Sequence, residues 1–310
     1  GVDLDEKAVE IAKLNLLLRG IEGLQETGNT GKKMLPNLSL NIRCGNTLVS
    51  GKYEDEETES ENSQLSLIFD KHSEHKSNIK ALIELKDRFY LEEDNDKKDD
   101  IINQVHKHEY KINKYLNKNL EDYFDDVEKI KPFNYEVAFC EVMKKGGFDC
   151  VIGNPPYKMF SRVTGTDSKG YSDEEKIYFN KVYRDSAEYK LSMYAIFSNK
   201  AMSLMRTNGR FGYILPDSYI LGFYFSKLRN YILSNFHIGR IVLLMEDFWE
   251  QASVGLPSIL ITSKDEGKIM KCIEALTVNE FKTGQVRNFS INQNYYRKIE
   301  RNKFRLFFSQ

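Results

Sequence analysis

Gly147-Phe148-Asp149-Cys150-Val151-Ile152-Gly153-Asn154-Pro155-Pro156-Tyr157 is the stretch whose reading decides the fold. Residues 148–152 are mostly apolar and partly β-branched, and Gly153 stops them, which predicts a short buried strand. Asn154-Pro155-Pro156-Tyr157 follows at once. Two prolines fix φ, remove two backbone donors and push the residues before them into extended conformations. The result is a stiff turn at the carboxyl end of a strand, where open α/β sheets place their ligands.

Such a turn presents an amide side chain, bare carbonyls and an aromatic face. An exocyclic amine on a conjugated ring is a poor nucleophile because its lone pair is delocalised. With the Asn154 side-chain oxygen and the Pro155 carbonyl accepting its two N–H bonds, the nitrogen can pyramidalise towards an electrophile. Tyr157 would stack on the planar ring. Positioning and fixed dipoles then do the work of a strong base. A Pro-rich turn closing a core strand is the plainer alternative for a bare N-P-P-Y, and the preceding F-D-C-V-I-G argues against it.

This stretch resembles the catalytic motif of S-adenosylmethionine-dependent amino methyltransferases, particularly those acting on N6 of adenine in DNA. The upstream P-F-N-Y-E-V-A-F-C-E-V (132–142) looks like the lead-in found in type IIG restriction–modification enzymes, in which methylase and endonuclease share one polypeptide. The resemblance runs from residue 1 to about Lys264, outside one insertion. It implies a Rossmann-like α/β methyltransferase sheet, an S-adenosyl-L-methionine cofactor and a flipped-out adenine in double-stranded DNA as target. Asn154, Pro155 and Tyr157 take the catalytic positions of the motif. Tyr157 and Phe248 match its two base-stacking aromatics. The lone Trp249 could serve the same end, and an apolar loop anchor is the alternative for both. Asp3 matches the acidic residue that binds ribose hydroxyls, Asn46 the polar residue on the cofactor's adenine, and Phe197 an aromatic against that adenine. Core packing competes for Phe197, and a G-N turn for Asn46.

Composition sets wider bounds. The 310 residues carry 45 Lys+Arg against 46 Asp+Glu, a net charge of −1, so no global basic field marks a nucleic-acid binder. Hydrophobic residues at 41% suffice for a proper core. Cys44, Cys140, Cys150 and Cys272 form no C-x-x-C pair, which suits a reduced, cytoplasmic protein. No apolar run is long enough to span a bilayer.

The chain opens within an element and without Met. Residues 1–5 read as a strand end. A helix follows with Ala8, Val9, Ile11, Ala12, Leu14, Leu16 and Leu18 at helical period, Asp5 serving as its N-cap. The resemblance implies a glycine-rich loop of the D-P-A-C-G-S-G type after a first strand, and no such loop occurs in this sequence. The expectation is a truncated methyltransferase sheet lacking its first strand, with a central break or rearranged pairing. The cofactor pocket would be incomplete, and the chain alone would bind cofactor weakly and transfer no methyl groups.

The remaining elements follow in order. Residues 38–44 alternate as a strand. Residues 54–61 are an acidic run, read as a loop. Ile79, Leu82, Ile83, Phe89 and Tyr90 form one apolar stripe, and Ile101, Val105, Ile112, Tyr115, Leu116 and Leu120 another, with residues 94–100 as the turn between them. That is a helical hairpin insertion, a possible dock for a protein partner. His72, His75, His106 and His108 lie on or near it, and solvated histidines explain them better than a metal site. Residues 158–186 suggest a polar loop over the target. A helix over 194–205 closed by Asn208-Gly209, a strand over 211–215, a helix over 225–233 and strands over 238–245 and 256–262 complete the sheet with an antiparallel hairpin edge. Pro216-Asp217 with Glu266-x-Lys268 satisfies a loose nuclease pattern whose pieces are too short and common to carry weight. From residue 267 the chain turns basic. Lys282, Arg287, Arg297, Lys298, Arg301, Lys303 and Arg305 interleave with Phe281, Phe289, Tyr295, Tyr296 and Phe304, a composition suited to phosphate contact and stacking.

The domains expected are 1–52 (methyltransferase, first part), 53–131 (acidic loop and hairpin), 132–265 (catalytic part) and 266–310 (opening of a target-recognition domain). Two other functions share parts of this pattern. N-P-P-Y also serves methyltransferases acting on protein glutamine or RNA adenine, and a non-catalytic docking module would dispense with the glycine loop.

Overall fold

The computed structural model describes residues 1–26, 38–52, 73–157, 172–188, 191–246 and 255–306. The chain divides into two units, Gly1–Lys145 and Gly146–Gln310.

In the first unit, β1 (Val2–Asp3) leads into α1 (Glu6–Glu26) and pairs in parallel with β2 (Arg43–Cys44), Val2 against Arg43 and Asp3 against Cys44. Asp5 does cap α1: its Oδ1 accepts the Lys7 N–H at 2.9 Å. The strand expected over 38–44 shrinks to two residues, because β1 offers only two to pair with. Residues 38–42 instead turn back, Asn41 and Ile42 both donating to the Leu38 carbonyl at 3.0 Å. The helical period of α1 holds, but its stripe is not a core face: Val9 is buried while Ile11, Leu14, Leu16 and Leu18 are exposed.

The hairpin is present as α2 (Ser73–Leu91) and α3 (Asn95–Leu116). Ile79, Leu82, Leu85 and Phe89 are buried on one helix, and Ile101, Val105, Ile112 and Leu116 on the other. The turn is shorter than expected. Asp94 is already the N-cap of α3, accepting from the N–H groups of Asp96 and Lys97, so residues 95–100 are helical. The P-F-N-Y-E-V segment forms two single turns, Tyr135–Ala138 and Cys140–Met143.

The second unit contains β3 (Phe148–Gly153), α4 (Asp173–Val182), α5 (Met193–Ser203), β4 (Met205–Pro216), α6 (Ser226–Asn235), β5 (His237–Leu244), β6 (Pro257–Ser263), β7 (Ile269–Ala275) and β8 (Arg287–Asn292). The sheet order is β3-β4-β6-β5-β7-β8. β3 and β4 run parallel, β6 is antiparallel to both its neighbours, β5 and β7 are parallel, and β8 is antiparallel at the far edge. The antiparallel strand therefore lies inside the sheet, because β7 and β8 continue it past β5. This is an α/β fold whose strands, among the described residues, fall in two separate sheets of two and six strands.

Three expectations for this unit change. β3 is not buried: it is an edge strand with one partner among the described residues, and Ile152 is 79% exposed. Asn208-Gly209 does not end a helix but kinks β4, with Asn208 at φ +62°, so the register jumps from Phe148–Met205 to Cys150–Arg210. Within the stretch expected to be loop, residues 173–182 are helical and start with a capping box between Ser172 and Glu175; residues 158–171 lie outside the described residues.

The basic C-terminal stretch is built into this unit. β7 and β8 extend its sheet, and Tyr296, Phe304 and Leu306 join its core. Arg229 of α6 is fully buried and holds this stretch in place. Its guanidinium donates to the carbonyls of Tyr219 (2.8 Å), Gly222 (2.9 Å) and Arg301 (2.9 and 3.1 Å). Burial lowers its pKa to about 10 against the opposing pull of the Glu188 carboxylate, so it is still cationic near neutrality. Arg229→Met should orphan three carbonyls and cost about 3 kcal/mol or more. Urea unfolding followed by circular dichroism should show the lower midpoint, and an unchanged midpoint would show that these bonds are dispensable.

Candidate active site

Pairing with β4 places the N-P-P-Y turn. Gly153 lies opposite Tyr213 in the parallel register, and a Cβ added at Gly153 would stand 2.8 Å from the Tyr213 ring. Only glycine lets the strand end so close to that aromatic. Beyond it, Asn154 is exposed, Pro155 is buried and Tyr157 is half-buried against the core cluster. The buried proline anchors a turn whose amide faces outward.

The Tyr157 hydroxyl donates to Asn154 Oδ1 and also lies 3.2 Å from the Ile214 carbonyl on β4. It thus ties the amide to the end of the neighbouring strand. Burial pushes its pKa up to about 12, so the hydroxyl remains a neutral donor throughout any ordinary working range. Sequence reasoning gave Tyr157 a catalytic position in the motif and a stacking ring; the structure adds an orienting bond. A carbonyl-type oxygen has two lone pairs, so Asn154 Oδ1 can still accept a second hydrogen bond.

Two further groups cluster at the carboxyl end of β4. Tyr194 of α5 shares a 2.6 Å hydrogen bond with Ser218 and stacks on Phe225, with ring centroids 5.2 Å apart. Asp217 exchanges bonds with Leu256, its N–H donating to the Leu256 carbonyl at 2.8 Å and its Oδ1 accepting from the Leu256 N–H at 3.2 Å. Gly255 has φ +95°, and a Cβ there would stand 2.5 Å from Asp217 Oδ1. Asp217 therefore fixes where the described chain resumes before β6. In the sequence, its place after a strand and the loose nuclease pattern marked it, and neither signalled this bond to Leu256. Phe248 and Trp249 lie outside the described residues. Phe197, on α5, packs partly buried against the same core cluster as Tyr157.

Asp3 and Asn46 belong to the first unit, at the carboxyl ends of two paired parallel strands. The Gly45 N–H donates to the Asp3 carbonyl at 2.9 Å. Asp3 is exposed, and its Oδ1 accepts the Asp5 N–H at 2.9 Å, which aims the carboxylate past the strand end. Asn46 Oδ1 caps its own turn by accepting from Leu48 N–H at 3.1 Å, and its backbone N–H donates to Lys131 at 2.7 Å. Phe133 lies over this loop so closely that a Cβ at Gly45 would meet its ring at 2.6 Å. An exposed carboxylate suits vicinal ribose hydroxyls, and the Asn46 amide NH2 suits a purine ring nitrogen. This pair fits the nucleoside half of S-adenosylmethionine.

Other reactive groups are poor candidates. Burial pushes the thiols of Cys140 and Cys272 up to about 12 and about 11, leaving no thiolate. His108 shares a 3.0 Å hydrogen bond with Asn78, and burial lowers its pKa first, with Lys111 and Lys107 adding to the effect. His72 and the side chain of His75 lie outside the described residues.

A glycine-stopped strand delivering N-P-P-Y to the carboxyl edge of a mixed sheet defines the class: a methyltransferase domain. The chain belongs to the Eco57I restriction-modification methylase family, whose model matches residues 1–249. It is 28% identical over 316 aligned residues to a Methanocaldococcus jannaschii protein described as a candidate type II restriction enzyme and methyltransferase, covering 85% of this chain and 26% of that one. To the Escherichia coli type II restriction enzyme and methyltransferase RM.Eco57I it is 28% identical over 121 residues, 38% of this chain and 10% of that one. The chain thus spans about a quarter of the length of the archaeal protein, and its alignment covers a tenth of RM.Eco57I. Among solved structures, the type IIG restriction endonuclease BpuSI aligns with a TM-score of 0.37 at 13% identity, over 47% of this chain and 19% of its own.

Two outcomes follow from the site. Tyr157→Phe keeps the ring and removes the donor that orients Asn154, so turnover in the intact enzyme should fall about tenfold, the worth of one such bond. Full turnover would leave the ring alone as the working part. Burial raises the Asp217 pKa above its ordinary value. A raised carboxyl pKa gives a contribution to stability that is present in acid and lost as pH rises through the folded-state value. Asp217→Asn keeps the acceptor without the charge, so thermal melts should show its advantage over wild type to be larger at pH 7 than at pH 4. An advantage that grows in acid would contradict the burial argument.

Proposed function

We propose that the protein transfers a methyl group from S-adenosylmethionine to the N6 amine of an adenine flipped out of duplex DNA, as the modification activity of a type II, IIG-like restriction–modification enzyme. The observation that carries this reading is the outward-facing Asn154 amide, held between a buried proline and the Tyr157 hydroxyl at a strand's carboxyl end. Family membership supports the methyltransferase chemistry.

When bound, the cofactor supplies an electrophilic sulfonium methyl. Asp3 and Asn46 would hold its nucleoside. Asn154 Oδ1 and the Pro155 carbonyl would accept the two N–H bonds of the target amine, which pyramidalises the nitrogen and frees its lone pair to take up the methyl group. The surplus proton then passes to solvent. Tyr157 and Phe248 stack on the flipped base, whose amine is out of reach inside the helix. Residues 266–310 open the recognition surface. Exposed Arg297, Lys298 and Arg305, with Tyr295 and Phe289 at its rim, contact the DNA backbone.

In the intact enzyme, Asn154→Ala should lower incorporation of tritiated methyl into DNA by about 100-fold or more, in line with loss of one oriented acceptor in a preorganised site. Its melting temperature should match wild type, since the side chain is exposed. Near wild-type turnover would remove Asn154 from the chemistry.

A further inference from the structure

Residues 45–51 carry Asn46 and have little regular structure of their own, and the Gly45, Asn46 and Gly51 N–H groups and the Val49 carbonyl are all bonded to residues outside the loop. Part of that fixing comes from the segment after the hairpin: Phe133 N–H donates to the Val49 carbonyl at 2.8 Å, and Thr47 Oγ1 meets the Tyr135 hydroxyl at 3.3 Å. The Asn134 Oδ1 accepts the Gly51 N–H at 2.8 Å. Its Nδ2 then reaches the hairpin, donating to Asn113 Oδ1 at 2.8 Å and Asn117 Oδ1 at 3.0 Å. Gly51 itself rides on the end of α3, where a Cβ would stand 2.2 Å from the Leu116 carbonyl oxygen.

A second set of contacts acts on the strand that feeds this loop. Arg43 of β2 makes a two-pronged bond to Glu109 of α3, at 3.2 and 2.5 Å. Lys86 of α2 is 1% exposed and lies 3.5 Å from Glu109 and 3.4 Å from Glu141. Its ammonium also donates to the Ala138 carbonyl at 2.5 Å. The two cations and two carboxylates balance, so no net charge is buried. Burying Lys86 and Glu109, with Arg43 and Glu141 partly buried beside them, is a costly way to glue a hairpin, since apolar side chains of like volume often hold as well or better. What a directional network adds is a single register.

We infer that the hairpin is a brace for the nucleoside loop, and that Arg43, Glu109 and Asn134 are positioning residues for cofactor binding. The inference rests on the reading of Asn46 given under the proposed function. It assigns the insertion a task inside its own unit: α2 and α3 fix β2 through Arg43 and the loop's end through Asn134 and Gly51, and Asn46 lies between these two points.

The test is calorimetric titration of the intact enzyme with S-adenosylhomocysteine, comparing wild type, Arg43→Gln, Arg43→Lys, Asn134→Ala and Asn46→Ala. Arg43→Gln and Asn134→Ala should each weaken binding about tenfold, the equivalent of one misplaced hydrogen bond, and Arg43→Lys should recover part of the loss. Wild-type affinity in both, with Asn46→Ala weakened, overturns the brace and leaves the Asn46 reading standing. Wild-type affinity in Asn46→Ala overturns that reading, and the brace with it. Hydrogen exchange on the unmodified enzyme decides the matter even where a variant fails to fold. Ligand should slow exchange in residues 45–51 and 101–116 together, and slowing confined to 45–51 overturns the proposal.

Discussion

The Tyr157 hydroxyl, bonded to the Asn154 side chain and lying against the Ile214 carbonyl, is the contact on which the account of this site depends. It turns an exposed and otherwise rotatable amide into a fixed dipole. The catalytic value of a dipole lies in its being oriented before the reaction, so that no reorganisation is needed as charge develops. The prolines stiffen the backbone between Asn154 and Tyr157, and glycine at 153 lets the turn press against Tyr213. Each part constrains the same few ångströms of chain.

The two units use different physics for similar ends. In the second, an apolar core beneath the six-stranded sheet fixes β4, and β4 fixes the turn. Arg229 adds a polar tie that draws residues 219–222 and 301 together around α6. In the first, the sheet has, among the described residues, two strands of two residues each, too little to define a loop. There the helical hairpin, the Phe133–Tyr135 segment and a charge-balanced network around Lys86 do what a larger sheet would otherwise do.

Local chemistry made the turn legible from sequence. Asn154-Pro155-Pro156-Tyr157 constrains its own backbone whatever surrounds it, and the apolar periods of α2 and α3 announce a hairpin. The exposure of β3 was not legible, because a strand's burial depends on its neighbours and not on its composition. Residues 38–44 alternate as a strand should, yet only Arg43 and Cys44 find a partner long enough to pair with. The Arg43–Glu109 bond joins residues 66 apart, and no pattern in either segment signals the other. Tyr296 and Phe304 shared their basic, aromatic setting with residues read as DNA contacts, and only the sheet's extension through β7 and β8 shows them as core.

Product identity tests the central claim most directly. Duplex DNA incubated with the intact enzyme and S-adenosylmethionine, digested to nucleosides and resolved by mass spectrometry, should yield N6-methyldeoxyadenosine as the only new species. Methyl groups on cytosine, or none on DNA while RNA or protein becomes labelled, would contradict the account.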